Sequence, residues 1–233
     1  MGLLYGCHSR FPPRPALIRR QAYVTRLALG VCLFAVSALA AGPDLHTVLK
    51  GVENRYNHAR TLQVLFSQTY EMPQHGTRTE SGELFLRKPG RMRWQYTDPA
   101  GKLFVSDGKY IYLYTPSQNR VERSKVKESD DMRAPLAFLL GRLDFEQEFS
   151  TFLMKPEGEN TWITAQAKSD RLPFTQVKFL VTPSYEIREL VITGQDNSVM
   201  SFKFSDEKMN PKLSDNMFQF KAPAGAEVVE SEG

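Results

Sequence analysis

The chain has 233 residues, 41% of them apolar and 24% charged, enough for one large β domain or two small ones with a sizeable core. Its formal charge of +4 belongs to its first 40 residues. All five charged side chains before Ala41 are arginines (Arg10, Arg14, Arg19, Arg20 and Arg26), which leaves 25 of the 30 basic residues facing all 26 acidic ones. No global cationic field remains to attract nucleic acid. Both cysteines, Cys7 and Cys32, lie in the same stretch, so the rest of the chain has no disulfide, thiolate metal ligand or cysteine nucleophile.

Taken in chain order, Arg19, Arg20 and Arg26 lead into an apolar run at 27–38, and Ala38-Leu39-Ala40 supplies the small residues a signal peptidase selects. A secretory leader cut after Ala40 is expected, with a Pro- and Arg-rich extension over residues 1–18. About twelve apolar residues are too few for a membrane-spanning helix, which needs about twenty. Lipidation at Cys32 would require a small residue where Val31 stands and a polar mature start where Leu33 to Val36 follow. From 43 to 59, Leu45, Val48, Leu49, Val52 and Tyr56 recur at helical spacing behind Asp44, which predicts an amphipathic helix.

Alternation then takes over. Leu62, Val64 and Phe66 begin a strand, and further strands are expected at 79–86, 91–96, 102–106, 110–114 and 120–126. Turns between them are marked by Lys88-Pro89-Gly90, Asp98-Pro99-Ala100-Gly101 and Asp107-Gly108. In the third run Met92, Trp94 and Tyr96 share one face, and Arg91, Arg93 and Gln95 share the other. The cluster of Arg87, Lys88, Arg91 and Arg93 reads as the solvated face of a strand in preference to a phosphate site. A charged break at 127–133 precedes a short helix at 134–143, opened by Pro135 and apolar nearly all round. Strands resume at 149–155, 161–167, 176–182, 187–193 and 199–206. A last short piece at 218–222 precedes a loose tail of small and acidic residues.

These parts make one long antiparallel sheet, interrupted once by an apolar helix and preceded by an amphipathic one. A twisted sheet of about ten strands curls. The simplest arrangement is therefore a mainly β, curled sheet with an apolar concave face and two helices plugging it. Periodicity alone leaves open whether that face is an ordinary self-filled core or the wall of a cavity.

Enzyme signatures are missing. The sequence has no phosphate-binding G-x-x-x-x-G-K-[ST] loop, dinucleotide G-x-G-x-x-G, zinc-binding H-E-x-x-H or G-x-S-x-G elbow. His46 and His58 are twelve residues apart, about three and a third helical turns, and so face different ways. No metal site or cofactor is expected, and no catalysis.

Over residues 45–229 the chain resembles the periplasmic outer-membrane lipoprotein carriers, the LolA family. The resemblance rests on G-x-L-x-L-x-K-P ahead of the strand containing Trp94, x-P-x-x-K-x-x-V-S-D-G-K, and the aromatic strand closing at Thr115-Pro116. It extends to Ala134-Pro135-Leu136-Ala137-Phe138-Leu139-Leu140 and to Phe218-Gln219-Phe220 through Gly225. It implies an incomplete, strongly curled antiparallel β-barrel with helices forming a lid over an apolar cavity for acyl chains, and a single carrier domain from 41 to 233. Such a carrier takes triacylated lipoproteins from an inner-membrane ABC-type releasing complex and passes them to an outer-membrane receptor, in the periplasm and here expected as a monomer.

Alternatives are a lipid-anchored receptor of the same fold and a periplasmic lipid-sensing binding protein. The cavity residues implied are Leu84, Leu86, Met92, Trp94, Tyr96, Val105, Leu136, Phe138, Leu139 and Leu140. The family places an arginine before the proline corresponding to Pro89, where it bonds lid carbonyls. This chain has Lys88, with three donors on a flexible stem in place of a planar fork, which predicts a weaker latch unless Lys88 is simply a solvated turn residue.

Overall fold

A computed structural model of the chain describes residues 44–74, 76–126, 143–170 and 172–230. The expected leader with its cut after Ala40, Cys32, and the apolar segment carrying Leu136, Phe138, Leu139 and Leu140 lie outside the described residues.

Helix α1 spans Leu45–Asn57 and starts where Asp44 caps it, its carboxylate accepting from the Thr47 backbone N–H at 2.9 Å. The Thr47 bonds hold the Asp44 carboxyl below its ordinary pKa. Val48, Leu49, Val52 and Tyr56 form the buried stripe that the sequence spacing predicts.

Twelve strands follow, in two groups. The first holds β1 (Thr61–Met72), β2 (Gly76–Arg87), β3 (Arg91–Asp98), β4 (Leu103–Asp107), β5 (Tyr110–Thr115) and β6 (Arg120–Lys125). After a one-turn helix α2 (Phe145–Glu148) come β7 (Phe149–Glu157), β8 (Asn160–Ala167), β9 (Phe174–Val181), β10 (Ile187–Gly194), β11 (Val199–Met209) and β12 (Glu227–Glu230). The order across the single sheet is β12-β6-β5-β4-β3-β2-β1-β11-β10-β9-β8-β7. Two meanders are thus joined along the β1–β11 seam, where Phe66 pairs with Phe204 and Tyr70 with Met200.

The turns follow the punctuation expected. Gly90, Gly101 and Gly108 take φ of 69°, 79° and 95°, the left-handed region that an L side chain resists. In the Asp107-Gly108 turn only the glycine has positive φ. Asp107 contributes its carboxylate, which accepts from the backbone N–H groups of Lys109 and Tyr110 at 2.8 and 2.7 Å.

The sheet is open at β12 and β7, and it curls. Flat strands lie about 4.8 Å apart, so rings on β3 and β11, three strands away from each other, would be about 14 Å apart. Instead Trp94 and Phe202 meet with centroids 5.3 Å apart. The concave side carries the main core, and α1, Leu143, Phe145 and Phe149 cover it.

Two expectations about the far end of the chain are corrected. Residues 218–222 do not form a strand: a 3-10 turn at Asp215–Phe218 takes their place, and Phe218 is buried. Within the tail, Glu227–Glu230 is not loose but pairs in parallel with β6, the one parallel pair among the described strands. The arginine cluster is also not a solvated face. Arg87 and Arg91 both reach the Asp215 carboxylate, at 2.5 and 2.8 Å, while Arg87 and Arg93 donate to the carbonyls of Leu213 and Met217. These contacts strap residues 213–220 over the convex face of β2–β4, and Phe220 stacks on Tyr112 at 4.9 Å. Burial under the strap lowers the pKa of the Arg93 guanidinium.

Candidate functional site: the concave face and its latch

Register fixes which side chains share the concave face. Between β2 and β3, Leu84 stands opposite Trp94 and Leu86 opposite Met92; on the other side of β2, Val64 pairs with Leu84 and Leu62 with Leu86. Leu84, Leu86, Met92, Trp94 and Tyr96 therefore fall on one wall, each no more than 3% exposed. Phe66 ties them together, its ring meeting Trp94 edge-on at 4.7 Å and Tyr96 at 5.1 Å. The indole N–H of Trp94 points to Met92 Sδ at 2.9 Å, so its polar atom is accommodated within the wall.

Val105 is a correction. It pairs with Arg93, while its neighbour Phe104 pairs with Trp94, so Val105 points to the convex side and Phe104 is the concave residue. Residues 103–105 are all apolar, and β4 is covered on both faces, one by the core and the other by the strap. Alternation carries no facing signal in such a strand. Phe66, Phe104 and Phe202 belong to the wall as well. Phe66 and Phe202 were legible as the in-phase residues of their strands, and Phe104 was not.

At one rim of this wall, Lys88 holds α1. Its Nζ donates to the Tyr56 carbonyl at 2.9 Å, and Lys88 is half-buried, with burial lowering its pKa. Among the described residues its acceptor is a carbonyl in the last turn of α1, a place where orphan carbonyls need donors. Lys88, Tyr56, Leu62 and Leu86 line a space of about 10 Å³ there, roughly one water.

The same turn of α1 is bound on every side. The Tyr56 hydroxyl donates to Glu207 at 2.8 Å and accepts from the Ile187 N–H at 2.9 Å. Burial raises the Tyr56 pKa, reinforced by the neighbouring Glu207 charge. Arg55 pairs with Glu207 at 2.5 Å. Asn57 exchanges two hydrogen bonds with the backbone of Leu143, at 2.9 and 2.7 Å, and Glu53 accepts from the Phe145 N–H at 3.0 Å. Residues 53–57 thus fix the point where the described chain resumes after residue 142. His46 and His58 are both exposed. No group of three or more metal-ligating side chains occurs among the described residues.

The sequence model described as "Outer membrane lipoprotein carrier protein LolA" matches residues 57–221. The chain belongs to this family. Relatives agree over most of their length. An outer-membrane lipoprotein carrier protein of Nitrosomonas europaea is 29% identical over 204 residues, covering 87% of this chain and 96% of the relative. One from Legionella pneumophila (strain Paris) is 30% identical over 179 residues, covering 77% and 88%.

Solved structures align more loosely. A LolA superfamily protein from Nitrosomonas europaea covers 75% of this chain and 97% of that one, at 10% identity and a TM-score of 0.42. An uncharacterised conserved protein from Thermus thermophilus covers 80% and 98%, at 13% identity and a TM-score of 0.47. The family is one of lipoprotein carriers. Among the described residues no helix is long and apolar enough to cross a membrane.

Proposed function

We propose that this protein ferries lipoproteins through the periplasm. It receives their acyl chains from an inner-membrane ABC-type releasing complex and yields them to an outer-membrane receptor. The observation that carries the reading is the continuous aromatic and aliphatic wall from Leu62 to Phe202 on the inside of a curled, open sheet. Each methylene withdrawn from water contributes about 0.8 kcal/mol, so a triacylated protein resists leaving a membrane by tens of kcal/mol. A wall of this kind lowers that barrier.

In the closed form α1 occupies the wall, so loading requires α1 to withdraw and its own buried stripe to be replaced by cargo. Lys88 bears on that step, since its bond to the Tyr56 carbonyl is broken when α1 leaves. A single lysine bond resists opening less than a bidentate arginine would. The weight of the closed state sets apparent affinity, because cargo binds only the open fraction.

The test is transfer between two membranes. Vesicles bearing the releasing complex and a labelled triacylated lipoprotein are incubated with the purified chain, and then with acceptor vesicles bearing the receptor. A soluble one-to-one complex, followed by label in the acceptor, is expected. Label that never leaves the donor overturns the carrier reading, and label that leaves but is never delivered points to a sensor. Mass spectrometry of the exported protein is expected to show a start at Ala41; a lipid-modified Cys32 would make it an anchored receptor instead.

A further inference from the structure

The concave face is not apolar throughout. Along the β1–β2 pair the inward-facing couples run Leu62 with Leu86, Val64 with Leu84 and Phe66 with Gly82, and then Gln68 with Glu80 and Tyr70 with Arg78. Three apolar steps are followed by two polar ones on the same face, each step about 7 Å along the strands. Gln68, Tyr70, Arg78 and Glu80 line a half-open pocket of about 210 Å³ together with Lys102 and Met200, with Arg78 at its exposed rim. It adjoins the wall directly, because the Tyr96 hydroxyl reaches Gln68 Oε1 at 3.4 Å and the Lys102 ammonium lies 4.5 Å from the centre of the Tyr96 ring.

The pocket is built, and it is rich in donors. Glu80 is 3% exposed, yet it remains compensated, with Lys102 Nζ at 2.8 and 2.6 Å from its two oxygens and Arg78 Nη2 at 2.6 Å. A buried carboxylate held by two cations works as a clamp that positions them. The lining carries two cations and one carboxylate. Gln68 spends its carbonyl on Tyr96, which leaves its amide N–H groups facing the pocket, and Arg78 carries five donors with one given to Glu80. An occupant that offers acceptors and carries no cation fits such a site.

We infer that this pocket seats the ester and amide carbonyls joining acyl chains to the polypeptide of a lipoprotein, while the chains themselves lie along the Phe66–Trp94 wall. The inference rests on the carrier reading and adds to it a place for the polar junction. It assigns Gln68 and Arg78, the latter positioned by Glu80, as the groups that distinguish an acylated peptide from a plain hydrocarbon. A site that hydrogen-bonds its ligand discriminates against an analogue lacking the partner atoms far more strongly than an apolar wall does.

The test compares three ligands on the full mature chain: a synthetic triacylated cysteinyl peptide, phosphatidylglycerol, and an apolar dye without carbonyls. Two variants are used, Gln68→Leu and the double variant Glu80→Gln/Lys102→Met. The double variant removes the clamp and its cation together, so no unpaired buried charge remains, and thermal melts establish that both variants are folded. Lipopeptide affinity is expected to fall about tenfold in each, roughly the loss of one net hydrogen bond, with dye affinity unchanged.

An equal loss for dye and lipopeptide would make the pocket ordinary wall and overturn the inference. Unchanged lipopeptide affinity overturns it as well. A tenfold loss confined to phosphatidylglycerol would assign the pocket to a phosphate headgroup and likewise overturn it. If the unaltered chain takes the dye but no lipopeptide, the carrier reading itself has failed and this inference goes with it.

Discussion

Tyr56 joins three parts of the protein through one side chain and its carbonyl. Its ring lies in the core, its hydroxyl bridges Glu207 and the Ile187 N–H, and its carbonyl accepts from Lys88. Tyr56→Phe keeps the ring and strands a buried N–H, which predicts a loss of about 1–3 kcal/mol in urea unfolding. The loss depends on pH. Burial raises the phenol pKa in the fold, so the stability tied to the neutral form is complete below the unfolded value of about 10 and lost as pH rises above it. The gap between wild type and Tyr56→Phe is therefore expected to narrow above about pH 10; a gap that is constant or widens there would show that the hydroxyl does not carry it. At this scale sequence reading placed Trp94, Met92 and Leu84 on their common wall, because strict alternation fixes facing once a strand has one polar side. It misplaced Val105, where both sides are apolar, and it has no reading of Gln68 and Glu80, because in-phase polar residues give no sign that they are buried.

At the scale of elements, α1 is fixed as much by what it lacks as by its stripe. A Cβ on Gly51 would lie 2.3 to 2.6 Å from three atoms of the Tyr185 ring, and Tyr185 itself has φ of 63°, a conformation that costs a non-glycine residue of order 1 kcal/mol or more. Gly51→Ala removes a helix-weakening residue worth about 1 kcal/mol. The clash opposes that gain, and overpacking of this kind costs about 1–3 kcal/mol. A net loss of stability is expected, with Gly51→Ala/Tyr185→Gly less destabilised than the two single losses summed; additive losses would place the ring elsewhere. The boundaries of α1 were legible because a capping aspartate and a regular stripe coincide. The fate of residues 211–230 was not, because their bonds run from arginines more than a hundred residues earlier in the chain, and no local pattern carries such a partner.

Over the described residues the protein is built on one sheet with two unlike sides. Inside is the apolar wall under α1. Outside, the strap is anchored by three arginines and by Phe218, 1% exposed, over which the Arg87 guanidinium lies at 5.9 Å. Phe218→Ala is expected to cost about 3 kcal/mol, which for a domain of this size lowers Tm by about 6–12 °C. A drop of only a degree or two would mean that the strap rests on the sheet without supporting it. Curling was legible from strand number and alternation; the parallel closure at β6 was not, since Glu-Val-Val-Glu at 227–230 is a short run without alternation.

That closure bears on the timing of folding. Strand β12 is made after every other strand, and it covers the β6 edge in register with Arg120 to Arg123. The seam that joins the two meanders likewise waits, since β1 finds β11 only after about 130 residues of intervening chain have emerged. Until then the emerging chain has two unpaired edges. Contacts between such distant segments form slowly. A polypeptide whose sheet is completed by its latest-made strands cannot close its two edges until its synthesis is nearly finished.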